Sequence, residues 1–365
     1  MNRRQEICAS QELIAAELRC SVIICFLLAF FRQGPFGATK SYFPTSICPE
    51  FPAYPPLTFL KYHAAIVSTR VLSRLMVRPS GIESMGKTAV ANKTYTRTVS
   101  FQGEHGAYSE RAAHVFFGEV VTEPCKTLKQ VFRSVEEEST SFGLVPAENS
   151  LEGSVNQTYD LLLETNLKIY GEVKIRVNHC LLALPGTKLN EIQAVYSHPQ
   201  ALAQCSEFLE SLHVTGEPVY DTAGSAKLIR EKNLHGAAAI ASEKAASLYG
   251  LEILRREIED FPENFTRFLI ISNKEATRTG TDKTSIVFGT KHTPGSLERA
   301  LSELATRRVN LTKIESRPIR GTPWEYNFFV DFEGHRTDRP CADALEALET
   351  STTFLKILGS YRQAS

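Results

Sequence analysis

No charge of either sign predominates in this 365-residue sequence. Its 41 Lys and Arg face 41 Asp and Glu, so no strong field draws the whole chain to nucleic acid or an anionic membrane. The eight cysteines form no CxxC pair and have no histidine at zinc-ligand spacing, so neither a metal site nor a disulfide framework is expected. There is no HExxH pattern, and His105, His179 and His198 are scattered. GEHGAY (103–108) lacks phosphate-loop spacing and a following Lys-Ser/Thr, which sets nucleotide binding aside. The long apolar run VIICFLLAFF (22–31) would make a helix of ~15 Å, half of a bilayer's hydrocarbon core, so no stable membrane span is expected. Internal repeats are absent.

What is present is ordinary soluble-protein material: 42% hydrophobic and 22% charged residues, enough for two or three domains. The even charge balance hides an asymmetry. Residues 32–98 hold nine Lys/Arg against Glu50 and Glu83, whereas residues 99–365 hold 29 against 36 acids. With its prolines and the apolar run behind Arg3, Arg4 and Arg19, the segment 1–97 reads as a mostly disordered extension. It suits a transit segment for a plastid or other organelle, although no A-x-A cleavage site follows the run. Without targeting, the protein is expected in the cytoplasm.

From Thr98 onward, short apolar runs alternate with helical patterns. TLKQVFRSVEE (127–137) places Leu128, Val131, Phe132 and Val135 on one helix face, and the overall alternation predicts an α/β domain with largely parallel pairing. Residues 173–186 read as one extended run and Gln200–Leu212 as one helix. This domain is expected over 98–274, followed by a linker at 275–283. Residues 284–361 then follow the order β-α-β-β-α-β of a ferredoxin-like domain.

Hydroxyls recur where strands give way to helices: Tyr108-Ser109, Ser197-His198-Pro199-Gln200, and Asp221-Thr222-Ala223-Gly224-Ser225. Helix N-termini carry free N–H groups and partial positive charge, which hold carboxylates; they also simply take Ser, Thr and Asp as caps. Both readings stand at each junction. Asn149 ends another strand, and Thr266-Arg267-Phe268 offers a hydroxyl donor, a cation and an aromatic wall in three positions.

At these residues the sequence closely resembles the prephenate dehydratase family, including the plant-type arogenate dehydratases. The resemblance covers residues 98–361 and rests on Gly106-Ala107-Tyr108-Ser109-Glu110, Pro146-Ala147-Glu148-Asn149-Ser150, His179-Cys180-Leu181-Leu182, Ser197-His198-Pro199-Gln200 with Gln204, and Asn264-Phe265-Thr266-Arg267-Phe268. The second domain resembles the family's regulatory ACT domain through Glu315-Ser316-Arg317-Pro318, with Ser296 where the family usually has Ala.

The resemblance implies two lobes like a type 2 periplasmic binding protein, and a lyase of phenylalanine biosynthesis. Prephenate would give phenylpyruvate, or arogenate phenylalanine, without a cofactor. It implies Thr266 as acid, Ser197 as its orienting or relaying partner, and Asn149 and Gln204 as positioners of the substrate. Ser109, Thr222, Ser225, Arg267 and Phe268 complete the expected substrate contacts. A phenylalanine effector would meet Gly295, Ser296, Leu297, Asn310, Glu315, Ser316, Arg317 and Pro318 between paired ACT domains of a homodimer or tetramer. The competing reading is an amino-acid sensor with no catalytic activity.

Overall fold

The computed structural model describes residues 97–319 and 321–364, so the expected targeting segment lies outside the described residues, Arg97 excepted. The first lobe runs β1 (Thr98–Gln102), α1 (Tyr108–Phe117), β2 (Val121–Cys125), α2 (Leu128–Glu136), β3 (Phe142–Asn149), the two-residue β4 (Gly153–Ser154), α3 (Asn156–Glu164) and β5 (Lys168–Arg176). The chain then crosses to a second lobe. This holds β6 (Cys180–Ala183), β7 (Ala194–Ser197), α4 (Pro199–Ala203), α5 (Ser206–Leu212), β8 (Thr215–Pro218), α6 (Thr222–Lys232), β9 (Ala237–Ala241), α7 (Glu243–Tyr249) and β10 (Glu252–Arg255). It returns to the first lobe as β11 (Phe265–Ser272).

The two sheets share one plan. Their strand orders, β2-β1-β3-β11-β5 and β8-β7-β9-β6-β10, each place a strand from the crossover antiparallel beside three parallel ones. This is the order of a type 2 periplasmic-binding-protein fold. Pairing is therefore mixed rather than largely parallel, because each crossover strand enters its sheet from the opposite end.

The expected amphipathic stripe of α2 is buried at all four positions, and Thr127 closes a capping box with Gln130 at its start. Two runs read as continuous are broken. The extended stretch divides at Val177–His179, where the chain passes between lobes, and Gln200–Leu212 divides at Gln204–Cys205.

The third sheet, β13-β14-β12-β15, is wholly antiparallel. It is built from β12 (Asp282–Gly289), α8 (Ser296–Ala305), β13 (Leu311–Pro318), β14 (Tyr326–Glu333), α9 (Arg339–Ser351) and β15 (Phe354–Arg362), giving the expected ferredoxin-like order. β12 begins at Asp282, inside the expected linker.

Alternation along these strands serves two cores. Ile286, Phe288, Val330 and Phe332 pack under α8 and α9, while Val287, Phe329, Leu358 and Tyr361 join Tyr159, Leu162, Leu167 and Ile169 of the first lobe. Every residue of β12 is consequently buried. Side by side, β15 and β5 come so close that a Cβ at Gly359 would lie 2.3 Å from the Ile169 carbonyl oxygen. Lys356 reinforces the join by donating to the carbonyls of Leu162, Leu163 and Thr165, the last turn of α3 and the residue beyond it.

Candidate active site

Between the lobes lies a cleft of about 160 Å³, lined by Tyr108, Ser109, Pro146, Asn149, Val177, His179, His198, Gln200, Ala201, Gln204, Thr222, Thr266 and Phe268. A second compartment of about 190 Å³ shares Ser109, His198, Gln200 and Thr222, and adds Gln102, Gly103, Lys126, Tyr220 and Asp221. The cleft thus gathers three expected sources: the strand ends of β3 and β11, the start of α1, and the helix starts of the second lobe.

Thr266 and Asn149 sit directly opposite one another on antiparallel β11 and β3. The Asn149 Nδ2 donates to Thr266 Oγ1 at 3.1 Å and to Asn264 Oδ1 at 2.8 Å. Its Oδ1 accepts from the Leu151 and Glu152 amides at 3.0 and 3.2 Å, which fixes which end of the amide faces Thr266. Thr266 is therefore held as an acceptor from Asn149, and its own proton remains free to be donated. A register shift between Arg267 and Phe268 skips Ala147, so Pro146 and Asn149 both reach the cleft from one strand.

A chain of hydrogen bonds continues across both crossovers. Asn264 Nδ2 donates to Gln204 Oε1 at 2.8 Å, His179 Nε2 meets the same oxygen at 3.0 Å, and Gln204 Nε2 donates to Glu152 at 3.0 Å. Because Gln204 Oε1 is an acceptor, the proton in this contact belongs to His179 Nε2. His179 is buried beside Tyr108, whose hydroxyl donates to the Asn178 carbonyl, and burial lowers the imidazole pKa. The histidine is a neutral strut of the cleft wall.

The break between α4 and α5 matters here. Gln204 caps α4 and its carbonyl accepts from the Asp260 amide at 2.7 Å, so its side chain turns into the cleft instead of continuing along a helix face.

Other expected residues are distributed unevenly. Ser109 lines the cleft, although its hydroxyl donates to the Gln102 carbonyl at 2.9 Å; α1 has no side-chain cap, which leaves its first amides for a ligand. Thr222 lines the cleft one residue after Asp221, the cap of α6, which accepts from the Gly224 amide at 2.8 Å. Phe268 is the expected wall.

Ser197 and Ser225 are not in the cleft lining. Both are fully buried, donating to the Ile240 carbonyl at 2.7 Å and the Thr222 carbonyl at 2.5 Å. The partner expected of Ser197 is supplied to Thr266 by Asn149 instead.

Arg267 is the largest departure. It follows Thr266 on a strand, so it faces the opposite side of the sheet. There it pairs with Glu172 at 2.6 Å and Asp331 at 2.7 Å, outside the cleft lining. Burial opposes its charge, but Tyr361, Asp331 and Glu172 hold its pKa above the ordinary value.

The second-domain residues also separate. Gly295 has φ +78° and begins α8 without a side-chain cap; Ser296 is buried against Thr293, with their hydroxyls 2.6 Å apart, and Leu297 packs partly buried. Asn310, Ser316 and Pro318 are exposed. Glu315 and Arg317 point the other way: Glu315 accepts from Ser154 at 2.9 Å, and Arg317 pairs with Asp160 at 3.2 Å. Alternation along β13 thus gives these two to the first lobe and removes them from a site on its exposed face.

Several cleft residues were missed as functional candidates in the sequence. Asn264 stands in a quoted motif but was given no role, and Glu152 belongs to no motif; both join the hydrogen-bond chain at Gln204. Lys126 lies in a lysine-containing turn, and only the fold brings it to the second compartment.

A family model described as prephenate dehydratase matches residues 99–276, and one described as ACT domain matches residues 284–350. The chain is 45% identical over 301 residues to the chloroplastic arogenate dehydratase/prephenate dehydratase 2 of Arabidopsis thaliana, covering 79% of this chain and 78% of that protein. Among solved structures, a prephenate dehydratase from Arthrobacter aurescens in complex with L-Phe is 33% identical with TM-score 0.68, covering 73% of this chain and 90% of that one. A structure described as a novel type of quorum-quenching acylase is 39% identical with TM-score 0.68, covering 74% and 98%. With a matched model in each domain and a relative of this identity over most of both chains, the protein belongs to the prephenate dehydratase family and carries its ACT domain.

Proposed function

We propose that this cleft carries out the decarboxylative dehydration of prephenate to phenylpyruvate or of arogenate to phenylalanine. The observation that carries the reading is the Thr266–Asn149 pair, with the hydroxyl proton left free to enter the cleft. As the C1–carboxylate bond breaks, its electron pair enters the ring and expels the C4 oxygen, releasing CO2 and an aromatic product. Aromatisation drives the step, but hydroxide leaves poorly unless it is protonated or strongly hydrogen-bonded. Thr266 supplies that bond, and the Asn149 amide stabilises the Thr266 oxygen as negative charge develops on it.

The substrate's two carboxylates require donors. The uncapped start of α1 at Tyr108-Ser109, the Thr222 hydroxyl and the Lys126 ammonium offer them around the two compartments. Among the described cleft residues no serine, threonine or cysteine is hydrogen-bonded to a histidine, which favours dehydratase over acylase chemistry at this site. Steady-state kcat/KM for prephenate and arogenate tests the reading and decides between substrates. No aromatic product from either would refute it and leave the sensor.

For regulation, the reading is inhibition by phenylalanine. The Gly295 and Leu297 amides receive its carboxylate, the Ser296 amide between them already donating to the Thr293 carbonyl, and Asn310 and Ser316 lie on the exposed side. The open edge and exposed face of β13, with Ile314, support pairing of two ACT domains. Calorimetry with phenylalanine and light scattering test binding and assembly. The basic extension is assigned plastid targeting, in keeping with the chloroplastic relative; a fluorescent fusion of residues 1–97 that remains cytosolic would count against it.

A further inference from the structure

The register that joins Thr266 to Asn149 also joins Arg267 to Glu148, on the opposite face of the same sheet. Each member of the proposed catalytic pair is thus covalently next to a charged residue turned toward the ACT sheet. Arg267 binds Glu172 through Nε and Asp331 through Nη1, and its Nη2 donates to Tyr361 at 3.1 Å. Glu172, whose side chain is wholly buried, also receives Lys283 at 3.0 Å and the Ala364 amide at 3.0 Å. Ser285 ties Asp331 to Tyr361. Glu148 lies 3.7 Å from Arg267 Nη1 and 3.3 Å from Lys313 Nζ, and Lys313 donates to Ser154 at 2.9 Å on the strand paired with Glu148.

We propose that Arg267 and Glu148 are positioning residues for Thr266 and Asn149, and that Asp331, Lys283 and Lys313 of the ACT sheet hold them in place. This rests on the reading of Thr266 and Asn149 as the catalytic pair. A buried fork spanning carboxylates from two domains has few satisfactory geometries, so the ACT sheet must sit in one place to satisfy it. Strand backbone transmits that placement by a single residue to each catalytic side chain. A displacement of about 1 Å at such a pair can cost ~10²-fold in rate, so the network sets the chemistry without touching substrate.

The test uses Lys313→Met and Asp331→Asn in the full chain, two ACT-domain changes outside the cleft lining. Expected are a fall in kcat of ~10-fold with KM within ~2-fold, and amide exchange at residues 148–150 and 265–267 faster by ~10-fold at a temperature where the variants remain folded. Lys313→Arg should return kcat to within ~2-fold of wild type, since the cation is restored. A lowered melting temperature with kcat per folded molecule and local exchange unchanged would overturn the proposal, leaving the network as domain glue. Should Asp331→Asn not fold, Lys313→Met alone decides between these outcomes. If the wild-type protein turns over neither substrate, the dehydratase reading fails, and the exchange measurement still decides whether the network positions these two strands.

Discussion

The role proposed for Thr266 depends on one proton. Replacing the residue with alanine removes the donor and should lower kcat by ~10²-fold or more with the circular dichroism spectrum unchanged. Serine should recover part of the loss, because it keeps the hydroxyl but not the methyl that restricts its rotamer. His179 gives a second residue-level prediction. Its folded-state pKa lies below the ordinary 6.5 because burial disfavours the imidazolium. Between those two pKa values the unfolded chain binds more protons, so stability rises with pH through that window. The contribution is complete above 6.5 and is lost as pH falls below it. Melting temperature measured against pH should show this acid-side slope in wild type and a weaker one in His179→Gln. The family resemblance pointed to Thr266, Asn149, Gln204 and Ser109, which the structure gathers in the cleft lining, whereas Ser197 and Arg267 lie outside it. For Arg267 the correction was available in the sequence: neighbours on a strand cannot both face one cleft.

The elements show what periodicity can and cannot convey. The α2 stripe was legible because one face meets one core. The breaks at Val177–His179 and Gln204–Cys205 were not, since neither holds a glycine or proline and only partners distant in sequence turn the chain. The short β4 was equally hidden; two residues carry no period, yet their pairing with Glu148 and Asn149 braces the cleft strand. The contact of β15 with β5 makes a sharper test. Gly359→Val would drive a side chain into the Ile169 backbone, where neither strand has a flexible end to yield. A loss of about 1–3 kcal/mol in urea-unfolding free energy is expected, the scale of overpacking in a close-packed interior. An unchanged midpoint would show that the strands can separate freely.

At the scale of the molecule, the ACT domain was legible as a fold but not as half of a shared core. Nothing in β12 distinguishes a strand covered on both faces from one with a wet side, because the apolar residues of either face are ordinary for a sheet. The sharing has a thermodynamic signature. The first lobe and the ACT sheet should unfold in one calorimetric transition with matching van't Hoff and calorimetric enthalpies. Truncation after Asn273 should yield an aggregation-prone chain in place of a stable unregulated enzyme, because it uncovers Tyr159, Leu162, Leu167 and Ile169. Two resolved transitions, or a soluble monomeric fragment, would contradict a common core.

The same close contact orders events during synthesis. The first lobe gains its last strand, β11, only after the second lobe has been made, and its outer face waits for β15 near the end of the chain. About ninety residues run from the end of β11 at Ser272 to the end of β15 at Arg362, which at ~5–20 residues per second is a delay of roughly 5–18 s on the ribosome. Through that interval, and through any later passage in unfolded form to an organelle, the chain displays an apolar face with no partner, so chaperone supply, more than the final fold's stability, should govern the yield of active protein.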